Sequence, residues 1–82
     1  MDIVITDTVR EQLRKWDGDR RERFYSKVEK LESYPDSYGK PLRGRLSGLW
    51  ELYFDGSFRI LYSIDRDQEV VYVKEVRYKD EF

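Results

Sequence analysis

Residues 50 to 64 alternate apolar and polar side chains across one short break, and this pattern restricts the fold more than any other stretch. Trp50, Leu52 and Phe54 alternate with Glu51 and Tyr53, then Phe58, Ile60, Tyr62 and Ile64 alternate with Arg59, Leu61 and Ser63. A period of two presents one apolar face on a strand. Asp55-Gly56-Ser57 between the two runs is a hairpin signal, because consecutive Asp-Gly suits the left-handed backbone of a tight turn. A polar turn over Asp65–Gln68 leads into a third strand, Val70–Val76. The sheet therefore has one apolar face and one mixed face. The mixed face, carrying Glu51, Tyr53 and Arg59, is where function is sought.

The first half of the chain reads as the cover for the apolar face. Ile3, Val4 and Ile5 are three β-branched residues in a row, which predicts a short strand buried on both faces. Asp7 or Thr8 ends it, and Thr8 with Glu11 has capping-box spacing. Val9, Leu13 and Trp16 make one helical stripe. Asp17-Gly18-Asp19 breaks the helix, with Gly18 in a left-handed closing position and Asp19 and Glu22 capping a second helix. Phe24, Val28 and Leu31 form its stripe, and Tyr34-Pro35 stops it. Trp16 and Trp50 both fall on core stripes. Gly39, Pro41, Gly44 and Gly48 hold the next segment as a loop. The expected order is β-α-α-β-β-β in one domain spanning 1–82. It is an α+β fold, a two-helix hairpin packed on one face of a small, mostly antiparallel sheet.

At 82 residues such a chain buries only roughly 60–65 % of its unfolded surface, so the core is modest. The chain has no His and no Cys. That leaves no disulfide framework and no conventional zinc site, and no cofactor or metal is expected. No apolar run approaches the roughly 18 residues of a membrane span, so no membrane association and a cytoplasmic location are expected. Sixteen basic residues face 17 acidic ones, a balance that argues against indiscriminate nucleic-acid binding. Lys40, Arg43 and Arg45 nevertheless follow one another with no acid between them, and a nearly neutral molecule can still present a basic groove.

No phosphate-binding glycine loop, nucleophile elbow or metal-ligand spacing is present. Without His, proton transfer falls to a carboxylate or a tyrosine, and charge stabilisation to Arg or Lys. Arg59 is the sharpest candidate. A guanidinium on the mixed face can fork onto a phosphate, or it can pair with Glu51 or Asp65 across the hairpin. Lys40, Arg43 and Arg45 suit contacts to a nucleic-acid backbone, or simply solvate their loop. Tyr53, Tyr72 and Tyr78 can stack on bases, or serve as ordinary sheet residues. Arg77 and Lys79 belong to a mixed-charge tail and mean little alone.

The stretches KPLRGRLSGLWEL, FRILYSID and VVYVKEVRYKDEF resemble the RelE/ParE-like superfamily, toxins of type II toxin–antitoxin modules, and the element order is similar over nearly the whole chain. The resemblance implies a metal-independent, ribosome-dependent mRNA endoribonuclease that inhibits translation, with 2′-hydroxyl attack giving a cyclic phosphate. It places Arg59 on the strand arginine that contacts the scissile phosphate. Arg77 or Tyr78 falls on a C-terminal arginine position. Glu51 stands where RelE-type enzymes carry a basic residue, Tyr53 where they carry a strand arginine, and Phe82 where they end in tyrosine. The implied catalytic set is Arg59, Arg77, Glu51 and Tyr78, with Lys40, Arg43, Arg45, Tyr53 and Lys74 binding nucleic acid. The implied partners are a cognate antitoxin, acidic or amphipathic, together with the ribosome and mRNA. ParE-like members of the same fold inhibit DNA gyrase instead, and a catalytically weak toxin-fold interaction protein is a third reading.

Overall fold

Five strands form one sheet in the spatial order β1-β5-β4-β3-β2, and two helices lie across one of its faces. The computed structural model describes residues 1–81. The elements are β1 (Asp2–Ile5), α1 (Asp7–Arg14), α2 (Gly18–Glu29), β2 (Lys40–Pro41), β3 (Trp50–Phe54), β4 (Phe58–Asp65) and β5 (Val70–Tyr78). Short 3-10 turns follow α2, precede β3 and follow β5. β1 runs parallel to β5, and every other neighbouring pair is antiparallel. The α+β architecture is the one expected from the residue pattern, with one strand added. Lys40 and Pro41, read as loop, pair with Glu51 and Trp50. Pro41 carries no amide hydrogen, so it suits this outer position.

The β3–β4 hairpin forms where the alternation and the Asp-Gly pair place it. Asp55 and Gly56 both adopt left-handed backbone, φ 53° and 69°, and Trp50 to Phe54 pair with Tyr62 to Phe58. Arg23 on α2 holds the turn from outside, its Nε and Nη2 donating to the Asp55 carboxylate at 3.2 and 2.8 Å. That hydrogen bond keeps the Asp55 carboxyl below the ordinary carboxylate range.

The core lies between sheet and helices: Val9, Leu13, Phe24, Val28 and Leu31 meet Leu52, Phe54, Phe58, Ile60, Tyr62, Val71, Val73 and Val76. Trp16 packs against its rim, stacked on Phe54 at 5.7 Å and edge-on to Phe24 at 5.9 Å. Tyr62 is wholly buried and donates its hydroxyl to the Pro35 carbonyl at 2.6 Å. That bond ties the segment after α2 to the centre of the sheet.

Local signals misplace the helix ends. Thr6, not Thr8, is the N-cap of α1, and its side chain makes no cap hydrogen bond. Its hydroxyl donates to the Lys74 carbonyl at 3.3 Å instead. Asp17 caps α2 by accepting from the Arg20 amide at 2.8 Å. Gly18 therefore opens the second helix rather than closing the first. α1 is closed by the Lys15 amide donating to the Gln12 carbonyl at 3.2 Å, with Arg21 Nη1 donating to the Leu13 and Trp16 carbonyls at 3.4 and 3.1 Å. The regular part of α2 stops at Glu29, before Tyr34-Pro35. β1 is an edge strand with Asp2 and Val4 exposed, not a strand buried on both faces.

Burial pushes the Tyr62 hydroxyl up to about 12 from 10.0. The neutral phenol is the form the fold holds, so its contribution is complete below pH 10 and is lost as pH rises through about 12. Tyr62→Phe is expected to cost about 1 kcal/mol at neutral pH through the lost bond to Pro35. Its stability should also fall less steeply than the wild type's between pH 10 and pH 12, followed by urea unfolding. Parallel curves over that range would show that Tyr62 ionises equally in both states.

Candidate functional site

The mixed face is assembled by strand register. Tyr53 lies opposite Arg59, and Arg59 opposite Arg77, so one row crosses β3, β4 and β5. Glu51, Leu61 and Glu75 form the next row. Arg77 reaches its place through a β-bulge. Tyr62 pairs with Val73 while Leu61 pairs with Glu75, leaving Lys74 as the extra residue of β5. Val71 and Val73 face the helices. Under strict alternation Glu75 and Arg77 would follow them into the core. The extra residue reverses the faces, so Val76 is buried and Arg77 stands beside Arg59.

The Arg59 guanidinium donates to Glu51 through Nη1–Oε2 at 3.0 Å. Both readings of Arg59 therefore meet in one residue: it is salt-bridged to Glu51 rather than Asp65, and it remains on the face suited to a phosphate. Glu51 is only 7 % exposed. A carboxylate so buried is stable as an anion when a cation is fixed on it, and in turn it fixes the guanidinium. Arg77 is similarly held, its Nε 2.8 Å from Glu75 Oε2.

Tyr53 is 43 % exposed and stands among three cations. The Arg59 guanidinium carbon is 5.4 Å from the ring centre, Lys79 Nζ 5.6 Å and Lys40 Nζ 6.0 Å. The face of a phenol ring attracts cations, so Tyr53 holds three positive groups together without neutralising them. Lys79 is the member that residue patterns miss. Its amide donates to the Ser57 carbonyl at 2.8 Å, which brings the tail back to the hairpin turn. A lysine in a mixed-charge tail carries no local mark of that return.

Tyr78 departs from the expected set. It pairs with Phe58 and lies 4.8 Å from that ring, on the helix side of the sheet. It is thus separated from Arg59, and of the two residues aligned with the C-terminal arginine position, Arg77 is the one on the mixed face. Arg43 and Arg45 are exposed on the loop after β2, Arg45 within the turn Gly44–Leu46. Phe82 lies outside the described residues.

A groove of about 530 Å³ continues from Arg77 between the loop at Leu46–Leu49 and strands β4 and β5, with Leu61, Ser63 and Lys74 among its lining. Leu61 belongs to the mixed face by register, yet it is fully buried. Among the described residues, no helix is long and apolar enough to cross a membrane. The arrangement offers fixed cations, an exposed aromatic ring and a buried carboxylate on one side of a sheet. That combination suits charge stabilisation at a phosphate.

The family model described as Phage derived protein Gp49-like (DUF891) matches residues 11–80, and the chain belongs to that family. Among solved structures it is similar to the toxin–antitoxin complex RelBE2 from Mycobacterium tuberculosis, at 28 % identity and TM-score 0.84 over 95 % of this chain and 96 % of that one. It is also similar to the YoeB/ParE toxin from Agrobacterium tumefaciens, at 19 % identity and TM-score 0.83 over 95 % and 98 % of the two chains. A third similar structure is the archaeal RelE-RelB complex from Pyrococcus horikoshii OT3, at 18 % identity and TM-score 0.78 over 99 % and 97 %. Among curated proteins, none matches the sequence. The fold is that of the RelE/ParE-like toxin superfamily.

Proposed function

We propose that this protein is the toxin of a type II toxin–antitoxin pair and that it cleaves mRNA on the ribosome. The observation that carries the reading is the row Tyr53–Arg59–Arg77, in which two guanidinium groups stand side by side on the mixed face. Cleavage by the RNA's own 2′-hydroxyl forms a new O–P bond and breaks the bond to the 5′-oxygen. The products are a 2′,3′-cyclic phosphate and a 5′-hydroxyl, so the proton lost by the nucleophile is balanced by one gained at the leaving group. Negative charge accumulates on the phosphorane oxygens between these events. Arg59 and Arg77 stabilise that charge, Glu51 positions Arg59, and Lys40 and Lys79 draw the strand onto the face. An antitoxin of acidic or amphipathic chemistry would cover these cations and hold the toxin inactive, in keeping with the antitoxin-bound relatives.

Glu51 and Tyr53 at positions where RelE-type enzymes carry basic residues favour gyrase inhibition as the second reading. A cleavage assay on ribosomes programmed with a defined mRNA, run beside a gyrase supercoiling assay, separates the two. Cuts within the A-site codon that require the ribosome are the expected result. Loss of supercoiling with intact mRNA would replace this reading with the gyrase one, and silence in both assays would leave an interaction protein.

A further inference from the structure

The cationic row is the start of a longer path. Tyr53 adjoins Arg59, Arg59 adjoins Arg77, and Arg77 shares the 530 Å³ groove with Lys74. Lys74, projecting from the bulge, shares the next depression with Ser63, Arg66 and Tyr72, and Asp65 and Asp67 close its far end. Tyr72 pairs with Ser63 and is partly exposed. An aromatic ring therefore stands at each end of a line of cations. We propose that this path is a track for single-stranded RNA in which one base stacks on Tyr53 and another on Tyr72, with the intervening phosphates over Arg59, Arg77 and Lys74.

The separation of the rings fixes the kind of strand. Arg59 and Ser63, which pair with Arg77 and Tyr72 on β5, are four residues apart on β4, about 13 Å along a strand. Tyr53 and Tyr72 also stand on strands with β4 between them, which adds about 10 Å across the sheet. Bases stacked in a helix are only about 3.4 Å apart. That separation rules out adjacent stacked bases, and a base inside a duplex is covered on both faces by its neighbours, so the two platforms hold non-adjacent bases of an unstacked strand. Lys74 follows Tyr72 onto the mixed face by ordinary alternation, and the bulge there brings Arg77 onto the same face, so the two halves of the path meet at the irregularity.

The proposal rests on the RNA-cleaving reading, and its test keeps the two apart. The probes are a short fluorescent RNA oligonucleotide and an abasic oligonucleotide of equal length, which keeps the phosphates and lacks the bases. Both are titrated by anisotropy at low salt with the purified, folded protein. Wild type is expected to bind the RNA about tenfold or more tightly than the abasic strand. Tyr72→Ala should weaken RNA binding about tenfold while leaving abasic binding unchanged, and Tyr72→Phe should behave as wild type. Tyr53→Ala should weaken RNA binding more than abasic binding, because it also releases the cations gathered on its ring. Lys74→Ala should weaken both probes equally and reduce the salt dependence. Equal wild-type affinity for the two probes would overturn the stacking track and leave the RNA reading intact. Loss at Tyr53 with none at Tyr72 would overturn the second platform. No binding of either probe would overturn the track, while the cleavage reading stands or falls on the assay with programmed ribosomes.

Discussion

Arg59→Ala is expected to lower ribosome-dependent cleavage by roughly 10²–10³, the scale of losing one preorganised donor to a developing oxyanion. Strand alternation by itself makes this a surface substitution with little effect on stability. The ion pair changes that expectation. Removing the guanidinium leaves Glu51, only 7 % exposed, without its partner at 3.0 Å, and an unpartnered buried acceptor costs about 1–3 kcal/mol. The variant should therefore unfold at lower urea concentration while remaining folded at neutral pH. Glu51→Gln combined with Arg59→Ala removes the stranded charge, so it should recover stability without recovering cleavage. That separation tells a catalytic cation from a structural one. Wild-type cleavage in a folded Arg59→Ala protein would exclude Arg59 from the chemistry. Recovery of cleavage in the double variant would make Arg59 a neutraliser of Glu51 and nothing more.

The parts of this protein that can be read locally are those whose causes are local. Alternation over Trp50–Ile64 and the Asp-Gly turn are written within 15 residues, and the structure reproduces both. The stripes Val9–Leu13 and Phe24–Val28–Leu31 are buried as their spacing requires. The features that escaped are relations between distant residues. A bulge is a count of two residues against one, and nothing in β5 alone marks Lys74 as the extra one. Thr8 and Glu11 have the right spacing for a cap, but the chain enters α1 two residues earlier because the Thr6 amide is held by the Val73 carbonyl at 3.2 Å. The site divides the same way. Arg59 and Glu51 are legible from strand parity, whereas Arg77 owes its face to the bulge. The same bulge turns Tyr78, aligned with the same arginine position, toward Phe58, and Lys79 is recruited by the hairpin turn at Ser57.

Adding one methyl group at Gly39 is expected to be among the costliest small changes the chain can receive. A Cβ built there would fall on the Tyr62 hydroxyl, and it would stand 2.9 Å from both the Tyr62 ring and the Glu51 carbonyl oxygen. Two of these atoms have no freedom to withdraw. The Tyr62 hydroxyl is committed to the Pro35 carbonyl at 2.6 Å inside the core, and the Glu51 carbonyl belongs to β3, paired on both sides. Overpacking of about 1–3 kcal/mol adds to the loss of a buried hydrogen bond, about 1–3 kcal/mol for the groups left behind. Together these give about 2–6 kcal/mol, a large share of the 5–15 kcal/mol typical of a whole domain. The strain also reaches the site, because displacing β3 at Glu51 moves the carboxylate that positions Arg59. Gly39→Ala should therefore lose both stability, by urea unfolding, and cleavage activity. Gly39→Ala with Tyr62→Phe removes the nearest obstructing atom and should recover part of the stability, the ring and the Glu51 carbonyl accounting for the remainder. An unfolding midpoint for Gly39→Ala equal to wild type would show that the segment before β2 yields freely. An unimproved double variant would locate the obstruction in β3 itself, where only the missing side chain of Gly39 lets the edge strand lie so close to Glu51.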